Sequence, residues 1–185
     1  MKDVLLHTCC APCSSAIVEW MGRNGYRPTI FYSNPNIFPR EEYLIRYNEC
    51  ARYAEALGLD IVEDAYDHSE WLGCVAAGRE DEPERGSRCL ECFRYRLLRS
   101  ARYALANGFD TLTTTLMSSR WKSLEQINEA GRWAVAKALE EKPGASLEWW
   151  DRNWRKGGLQ QRRLELIREY NFYNQLYCGC EFSKK

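Results

Sequence analysis

Nine cysteines stand in this chain of 185 residues, and most of them lie in short clusters that could bind a metal or carry electrons. Cys9, Cys10 and Cys13 fall within five positions, and Cys89 and Cys92 form a C-x-x-C pair at the start of a predicted helix. Helical residues three apart share one face, so both thiolates of that pair can reach one metal centre. The pair formed by Cys9 and Cys10 completes a possible four-ligand site.

The ligand spacing suits either a structural zinc or an iron–sulfur cluster. A structural zinc usually stabilises a small knuckle or ribbon, whereas these pairs are predicted at the mouth of a sheet that can fold without metal. That position favours iron–sulfur over zinc, with unligated thiols as a third alternative. Cys13 is either a further ligand or a small residue packed in the first helical turn.

The segment Cys178-Gly179-Cys180 predicts different chemistry. Two cysteines separated by one glycine can close a strained disulfide ring that is easily reduced, which suits an electron relay. The alternatives are metal ligands or unpaired thiols in a C-terminal tail. Cys50 and Cys74 lie in predicted helices, and we expect both to be packing residues.

Composition limits the cellular setting and the partners. No apolar run approaches the ~18 residues of a membrane span, and the N-terminal run is too short for a secretory signal. We therefore expect a cytoplasmic protein without a membrane partner, where nine cysteines are unlikely to serve as a disulfide framework. The 26 basic and 26 acidic residues cancel, so a polyanion would need a local basic patch.

Strands are predicted to alternate with helices along the whole chain. This order favours a mostly parallel α/β sheet with helices on both faces, in a single domain. Predicted strands cover 3–8, 29–34, 60–66, 110–116 and 146–150, and predicted helices cover 14–23, 40–57, 69–77, 88–107, 123–139 and 159–170.

The first strand is predicted to deliver Cys9 and Cys10 to the ligand-binding edge of this sheet. Open parallel sheets bind ligands beyond the carboxyl ends of their strands, and a helix N-terminus there stabilises thiolates. His7 ends the same strand, where a structural hydrogen bond is favoured over a role as a base. For His68 we expect a surface position.

Two basic segments suggest a polyanionic substrate. The segment 151–163 carries five cations and Trp154, and the segment 118–123 carries Arg120 and Lys122. Basic groups bind phosphates, and aromatic rings stack on unpaired RNA bases. The alternative for 151–163 is a solvated helix face with core tryptophans.

Several motifs together resemble the cobalamin-independent epoxyqueuosine reductases of the QueH type. The resemblance extends over nearly the whole chain and rests on the motifs "LLHTCCAPCSS", "YSNPNI", "EEYLIRYNE", "RCLECFRYRL", "GFDTLTTTL", "SSRWKSLEQIN", "RKGG" and "YNFYNQLYCGC". It implies a Rossmann-like sheet similar to that of the nucleotide alpha-hydrolases. It also implies removal of the epoxide oxygen of epoxyqueuosine at the tRNA wobble position, by a two-electron reduction that gives queuosine and water.

The resemblance also implies cofactors and roles for individual residues. Cys9, Cys10, Cys89 and Cys92 match the ligands of a 4Fe-4S cluster, and Cys178 and Cys180 match a redox-active pair within a tail of about 171–185. An additional iron is implied, with Cys13 and Asp110 as candidate ligands. The implied partners are a tRNA carrying epoxyqueuosine and an electron donor that the sequence does not identify.

Two functions of other classes remain alternatives. One is a zinc-stabilised RNA-binding module without catalysis, which would hold one zinc instead of iron and sulfide. The other is a thiol–disulfide oxidoreductase acting on proteins, which would need neither cluster nor tRNA. The chain lacks a C-x-x-C directly after its first strand, the thioredoxin-type context, and this disfavours the second alternative.

Overall fold

The computed structural model describes residues 1–184, which contain a parallel sheet of five strands in the order β3-β2-β1-β4-β5. Each neighbouring pair runs parallel. The strands are β1 (Lys2–His7), β2 (Tyr26–Tyr32), β3 (Ile61–Glu63), β4 (Thr111–Thr114) and β5 (Glu148–Trp149).

Helices cover both faces of this sheet. They are α1 (Ala11–Arg23), α2 (Arg40–Leu57), α3 (His68–Trp71), α4 (Ser87–Ala106), α5 (Leu124–Glu141) and α6 (Leu159–Glu169). A π-helical turn (Leu72–Ala76) follows α3, and 3₁₀ turns cover Thr115–Ser118 and Glu181–Ser183. None of the helices within residues 1–184 has the length and apolarity needed to span a bilayer.

Alternation along β1 produces a separate apolar core on each side of the sheet. Val4 and Leu6 pack in a core with α1 and α2, whereas Leu5 packs in the other core against α4 and α5. Successive side chains of a strand point to opposite faces, so a strand covered on both sides must be apolar throughout. The predicted single-domain α/β fold is therefore confirmed.

The order of the strands reverses at β1. The chain builds β2 and β3 on one side of β1 and then returns to place β4 and β5 on the other side. A crevice forms at such a switch point, beyond the carboxyl ends of the strands. Cys9 and Cys10 follow β1 at this edge, and the 3₁₀ turn that begins at Thr115 follows β4 beside them.

Candidate metal and redox centre

Three cysteine sulfurs gather where β1 passes into α1. The Sγ atoms of Cys9, Cys10 and Cys13 all lie within 4.8 Å of one another. Pro12 lies in the first turn of α1, where a backbone N–H would have no partner within the helix, so proline is favoured there. The helix therefore begins directly after Cys10, and its first turn brings Cys13 back towards Cys9 and Cys10. Cys13 therefore belongs to this group of three thiols and is not only a packing residue.

Hydrogen bonds link the three thiols, and they shift the pKa of Cys9 and of Cys10 in opposite directions. Hydrogen bonds from Cys10 and Cys13 lower the pKa of the Cys9 thiol, and the Thr115 hydroxyl lies 3.5 Å from its sulfur. Burial raises the pKa of Cys10. A bound cation would allow all three sulfurs to become thiolates, because metal binding displaces thiol protons. An all-sulfur donor set of this kind fits a soft centre such as zinc or an iron–sulfur cluster.

The second cysteine pair reaches the same place from α4. Cys89 lines the cavity that Cys9 and Cys13 also line, and its sulfur accepts a hydrogen bond of 3.3 Å from the backbone N–H of Arg85. Cys92 is buried behind it, with its sulfur 4.0 Å from Arg96 Nη1. Cys89 of the second pair thus shares the cavity with Cys9 of the first.

The C-terminal tail crosses the same opening. Gln175 Nε2 donates to Cys10 Sγ at 2.9 Å. Arg46, only 2% exposed, donates to the carbonyl of Cys178 at 3.0 Å and is itself held by Glu42. Gly179 has a φ of +133°, and a Cβ there would lie 2.9 Å from Ile37, so the tail needs glycine at this position.

The two tail cysteines have different surroundings. Cys178 lines the cavity, and Lys122 Nζ lies 3.0 Å from its sulfur. Burial alone would lower the pKa of Lys122, but its contact with Cys178 raises that pKa, so the amine stays protonated. Cys180 is buried in an apolar cluster with Cys92, and burial raises its pKa to about 12. Cys178 is the accessible thiol of the two.

Buried polar groups behind the cysteines fix the end of β1. His7 accepts at Nδ1 from the Thr114 hydroxyl at 2.7 Å, and its Nε2 donates to the carbonyl of Ser33 at 3.1 Å. Burial and the nearby Arg96 guanidinium lower the pKa of His7 to about 3. Asn34 donates to the carbonyl of Thr8 at 2.8 Å. The expected structural role of His7 is confirmed.

The cavity at this edge has a volume of about 640 Å³, and basic side chains dominate its wall. Glu84 is the only acid among its lining residues within 1–184. The basic lining residues are Arg46, Arg85, Arg96, Arg120, Lys122, Arg163 and Lys184. A molecule with no net charge therefore presents a strongly cationic cavity, and anions are attracted to it.

Comparison with known proteins assigns the family. The model of the family described as "Epoxyqueuosine reductase QueH" matches residues 4–185. The chain belongs to this family. An "Epoxyqueuosine reductase QueH" of Histophilus somni is 46% identical over 98% of this chain and 72% of its own length. The protein of the same name from Thermotoga maritima is 33% identical and is covered over 91% of its length.

A solved structure supports the fold of this QueH family member. The structure described as a predicted subunit of a tRNA methyltransferase from Methanocaldococcus jannaschii superposes with a TM-score of 0.57. It covers 89% of this chain at 16% identity, with 74% of its own chain matched. A similarity at this level of identity concerns the fold alone, and it agrees with the predicted α/β architecture.

The structure does not bring every candidate residue to the site. Asp110 precedes β4, at the opposite end of the strand from the cysteines, and its carboxylate is 66% exposed and lies 3.8 Å from Lys2 Nζ. Strand β4 starts directly after Asp110 and runs away from it, so Asp110 belongs to the amino edge of the sheet, where the predicted strand 110–116 also places it. Its proposed role as an iron ligand in this family member has no support in the fold.

The basic and aromatic segment 151–163 is divided between core and cavity. Trp154 is fully buried, and the guanidinium of Arg152 stacks over Trp20 at 3.8 Å from the ring centre. Arg163 lines the cavity. The alternative of core tryptophans is therefore correct for Trp154, and only part of this segment faces a ligand.

Two smaller predictions were wrong, and one was right. Cys74 is exposed because it lies on the outer side of the π-helical turn, whereas we expected it to pack. His68 is half-buried, with Nε2 3.1 Å from Glu181 Oε1, because the C-terminal tail packs against it. Cys50 is buried in the core as expected.

Sequence reasoning missed the side chains that support the cysteines. Arg46 contacts Cys178, Arg96 contacts Asn34 and Thr115 contacts Cys9, each across more than 60 positions, and Asn34 also contacts Thr8 across 26 positions. The only signal was that all four residues occur within the family motifs, which does not reveal their partners. Arg96 donates to both Asn34 and the carbonyl of Ser33.

Proposed function

We propose that this protein is an oxidoreductase that converts epoxyqueuosine to queuosine at the wobble position of tRNA, in the cytoplasm. The reaction breaks both carbon–oxygen bonds of the epoxide, forms a carbon–carbon double bond, and consumes two electrons and two protons to release water. One observation carries the proposal: cysteines from three distant segments, Cys9 with Cys13, Cys89, and Cys178, line one cationic cavity. The family match over residues 4–185 agrees with it.

The proposal assigns a 4Fe-4S cluster to Cys9, Cys10, Cys89 and Cys92. It assigns Cys13 to an additional iron, because its sulfur belongs to the same group of thiols. When bound, such a cluster supplies one-electron transfers at the cavity.

The side chains of the protein would bind and orient the substrate and hold its protons. Cys178 and Cys180 can supply two electrons and two protons when the dithiol closes to a disulfide, and the external electron donor would reduce that disulfide again. Lys122 holds a proton 3.0 Å from Cys178 Sγ, close to where the departing oxygen must be protonated. The basic wall binds the phosphates that flank the modified nucleoside.

The direct test is a nucleoside analysis. Protein reconstituted anaerobically with iron and sulfide is incubated with a chemical reductant and tRNA carrying epoxyqueuosine, and the digested nucleosides are measured by mass spectrometry. Loss of the mass of one oxygen atom is the expected result. An unchanged nucleoside with fully loaded protein would refute the proposed function.

Cysteine variants test the assigned roles. Cys178→Ser should retain iron and acid-labile sulfide while losing turnover, and Cys9→Ser should lose iron. Cys74→Ser is the matched control, since Cys74 is exposed outside the cavity and should behave like the unmodified protein. One zinc per chain in place of iron and sulfide would instead favour the RNA-binding module.

A further inference from the structure

An exposed tryptophan stands at the rim of the cationic cavity. Trp121 is 79% exposed and Leu176 is 97% exposed, and both line the cavity. Apart from Met1 at the N-terminus, they are the two most exposed large apolar side chains within residues 1–184. Exposed apolar area is unfavourable in water, so the position of both residues at one opening suggests that a ligand covers them.

The loop that carries Trp121 is held from two sides. Arg155 donates to the carbonyls of Ser119 and Lys122, the latter at 2.6 Å. Arg85 donates from Nε to the carbonyl of Trp121 at 2.9 Å. The backbone therefore cannot easily turn the indole ring inward, and the ring remains a fixed flat surface beside the cavity.

Charge indicates which ligand this surface fits. Arg85, Arg120 and Lys122 surround Trp121 along the cavity wall. A fixed aromatic ring among cations is the arrangement that binds single-stranded nucleic acid, because the ring stacks on a base while the cations bind the phosphates. A double helix offers no free base face for stacking, so an unpaired loop fits better.

We propose that Trp121 is a stacking platform for an unpaired anticodon-loop base next to the nucleoside that enters the cavity. This inference rests on the proposed function and adds to it the surface that positions the RNA. Trp121 is a positioning residue: stacking holds the loop while the neighbouring nucleoside lies near the cysteines. Leu176 adds a second exposed apolar side chain to the lining of the same cavity.

The test measures RNA affinity separately from turnover. Fluorescence anisotropy of the reconstituted protein with a fluorescein-labelled anticodon stem–loop RNA gives the dissociation constant. Trp121→Ala should weaken binding about 5-fold to 150-fold, since stacking of one base contributes about that factor. Trp121→Phe should recover most of the affinity. Trp133→Ala is the matched control, because Trp133 lies on α5 under the Arg94 guanidinium and outside the cavity.

Two further measurements separate stacking from a general structural role. The Trp121→Ala variant should keep the iron content, the melting temperature and the salt dependence of binding, because it removes no charge and no buried contact. With saturating tRNA its turnover should approach that of the unmodified protein, while KM rises.

The outcomes distinguish this inference from the proposed function. Unchanged RNA affinity in Trp121→Ala, together with normal removal of the epoxide oxygen, would overturn the stacking role and assign the apolar rim to another class of partner, such as a protein. Loss of affinity in a protein that binds RNA but never removes the oxygen would support the platform and refute the reductase.

Discussion

At the scale of single residues, the contact between Lys122 and Cys178 separates the two tail cysteines. Lys122 Nζ lies 3.0 Å from Cys178 Sγ, whereas Cys180 is buried among apolar residues. Cys89 and Cys178 line the same cavity, so the accessible tail thiol shares a space with a proposed cluster ligand. The structure thus gives one thiol of the C-x-C segment a cationic partner and buries the other.

Lys122→Gln should slow the alkylation of Cys178 by iodoacetamide about 10-fold or more. Alkylation consumes the anionic form of a thiol, and Lys122 is the cation that donates to Cys178 Sγ at 3.0 Å; a hydrogen bond to a charged group contributes about 1.5–3 kcal/mol. Peptide mass spectrometry of the metal-free protein measures the rate at Cys178 and at exposed Cys74, which is the internal control. Lys122→Arg should retain most of the rate, and equal rates in all three proteins would contradict the interpretation.

A second residue-scale contact supports the loop that holds His7 and Arg96. Asp64 accepts hydrogen bonds from Arg99 at 2.5 and 2.9 Å and from the Ser33 hydroxyl at 2.6 Å. Although partial burial raises it, these donors together lower the pKa of Asp64 below its ordinary value. The carboxylate therefore stabilises the folded state above the unfolded pKa of about 3.9, and this contribution is lost as pH falls through the folded pKa.

Asp64→Asn should lower the free energy of unfolding by about 1–3 kcal/mol at neutral pH. The difference from the unmodified protein should shrink below about pH 4, where Asp64 takes up a proton in the unfolded state first and in the folded state only at lower pH. Urea unfolding of both proteins at several pH values measures this difference in the free energy of unfolding. Asp60→Asn is the control, because the ion pair of Asp60 with Arg27 is solvent-exposed and should contribute little at any pH. A constant difference at all pH values would exclude the charge as its cause.

At the scale of elements, the approach of α5 to β5 leaves no room for a side chain at Gly131. A Cβ there would lie 2.2 Å from the ring of Trp149, and Asn128 Oδ1 fixes that ring by accepting from its Nε1 at 3.0 Å. The indole therefore cannot move aside without losing its hydrogen bond. The close packing of α5 on the edge strand β5 therefore requires glycine, which has no side chain, at position 131.

Gly131→Ala should destabilise the protein by about 1–3 kcal/mol, the usual cost of overpacking, even though alanine favours helices over glycine by about 1 kcal/mol. Thermal and urea unfolding measure the change. Gly22→Ala in α1 is the matched control: nothing lies within 4 Å of a Cβ there, so this variant should be neutral or more stable. A stabilised Gly131→Ala variant would contradict this prediction and would show that the Trp149 ring can shift at little cost.

The elements themselves were largely predictable from the sequence, whereas their exact ends and long-range contacts were not. Apolar runs and helical spacing predicted the alternation of strands and helices, because the central strands β1 and β2 are covered on both faces. The error at Asp110 is of another kind: this residue stands at the start of both the predicted strand and β4, so strand direction already places it at the amino edge, away from the cysteines. Buried Arg46 and Arg96 were missed because a charged residue reveals its burial only through distant partners.

At the scale of the whole molecule, the net charge is zero, but the positive charges are concentrated around the cavity. The 26 basic and 26 acidic residues cancel in sum. Many cations are neutralised by acids on the outer helices, as in the pair of Arg102 with Glu141 on α4 and α5. Those around the cavity face a single acid, Glu84, among its lining residues within 1–184. The field that attracts a polyanion is therefore concentrated at the opening that the cysteines share.

This distribution predicts the salt dependence of RNA binding. Each phosphate bound on a single strand contributes about −0.7 to the slope of log K against log salt concentration, because a counterion is released. Arg120→Ala should therefore make the slope shallower by about 0.7 if Arg120 binds one phosphate. Anisotropy with an anticodon stem–loop RNA over a range of salt concentrations measures the slope. Arg132→Ala removes an equal charge from α5, where Arg132 pairs with Asp151 outside the cavity, and should leave the slope unchanged. Equal changes in both variants would mean that the RNA responds to total charge and not to the cavity wall.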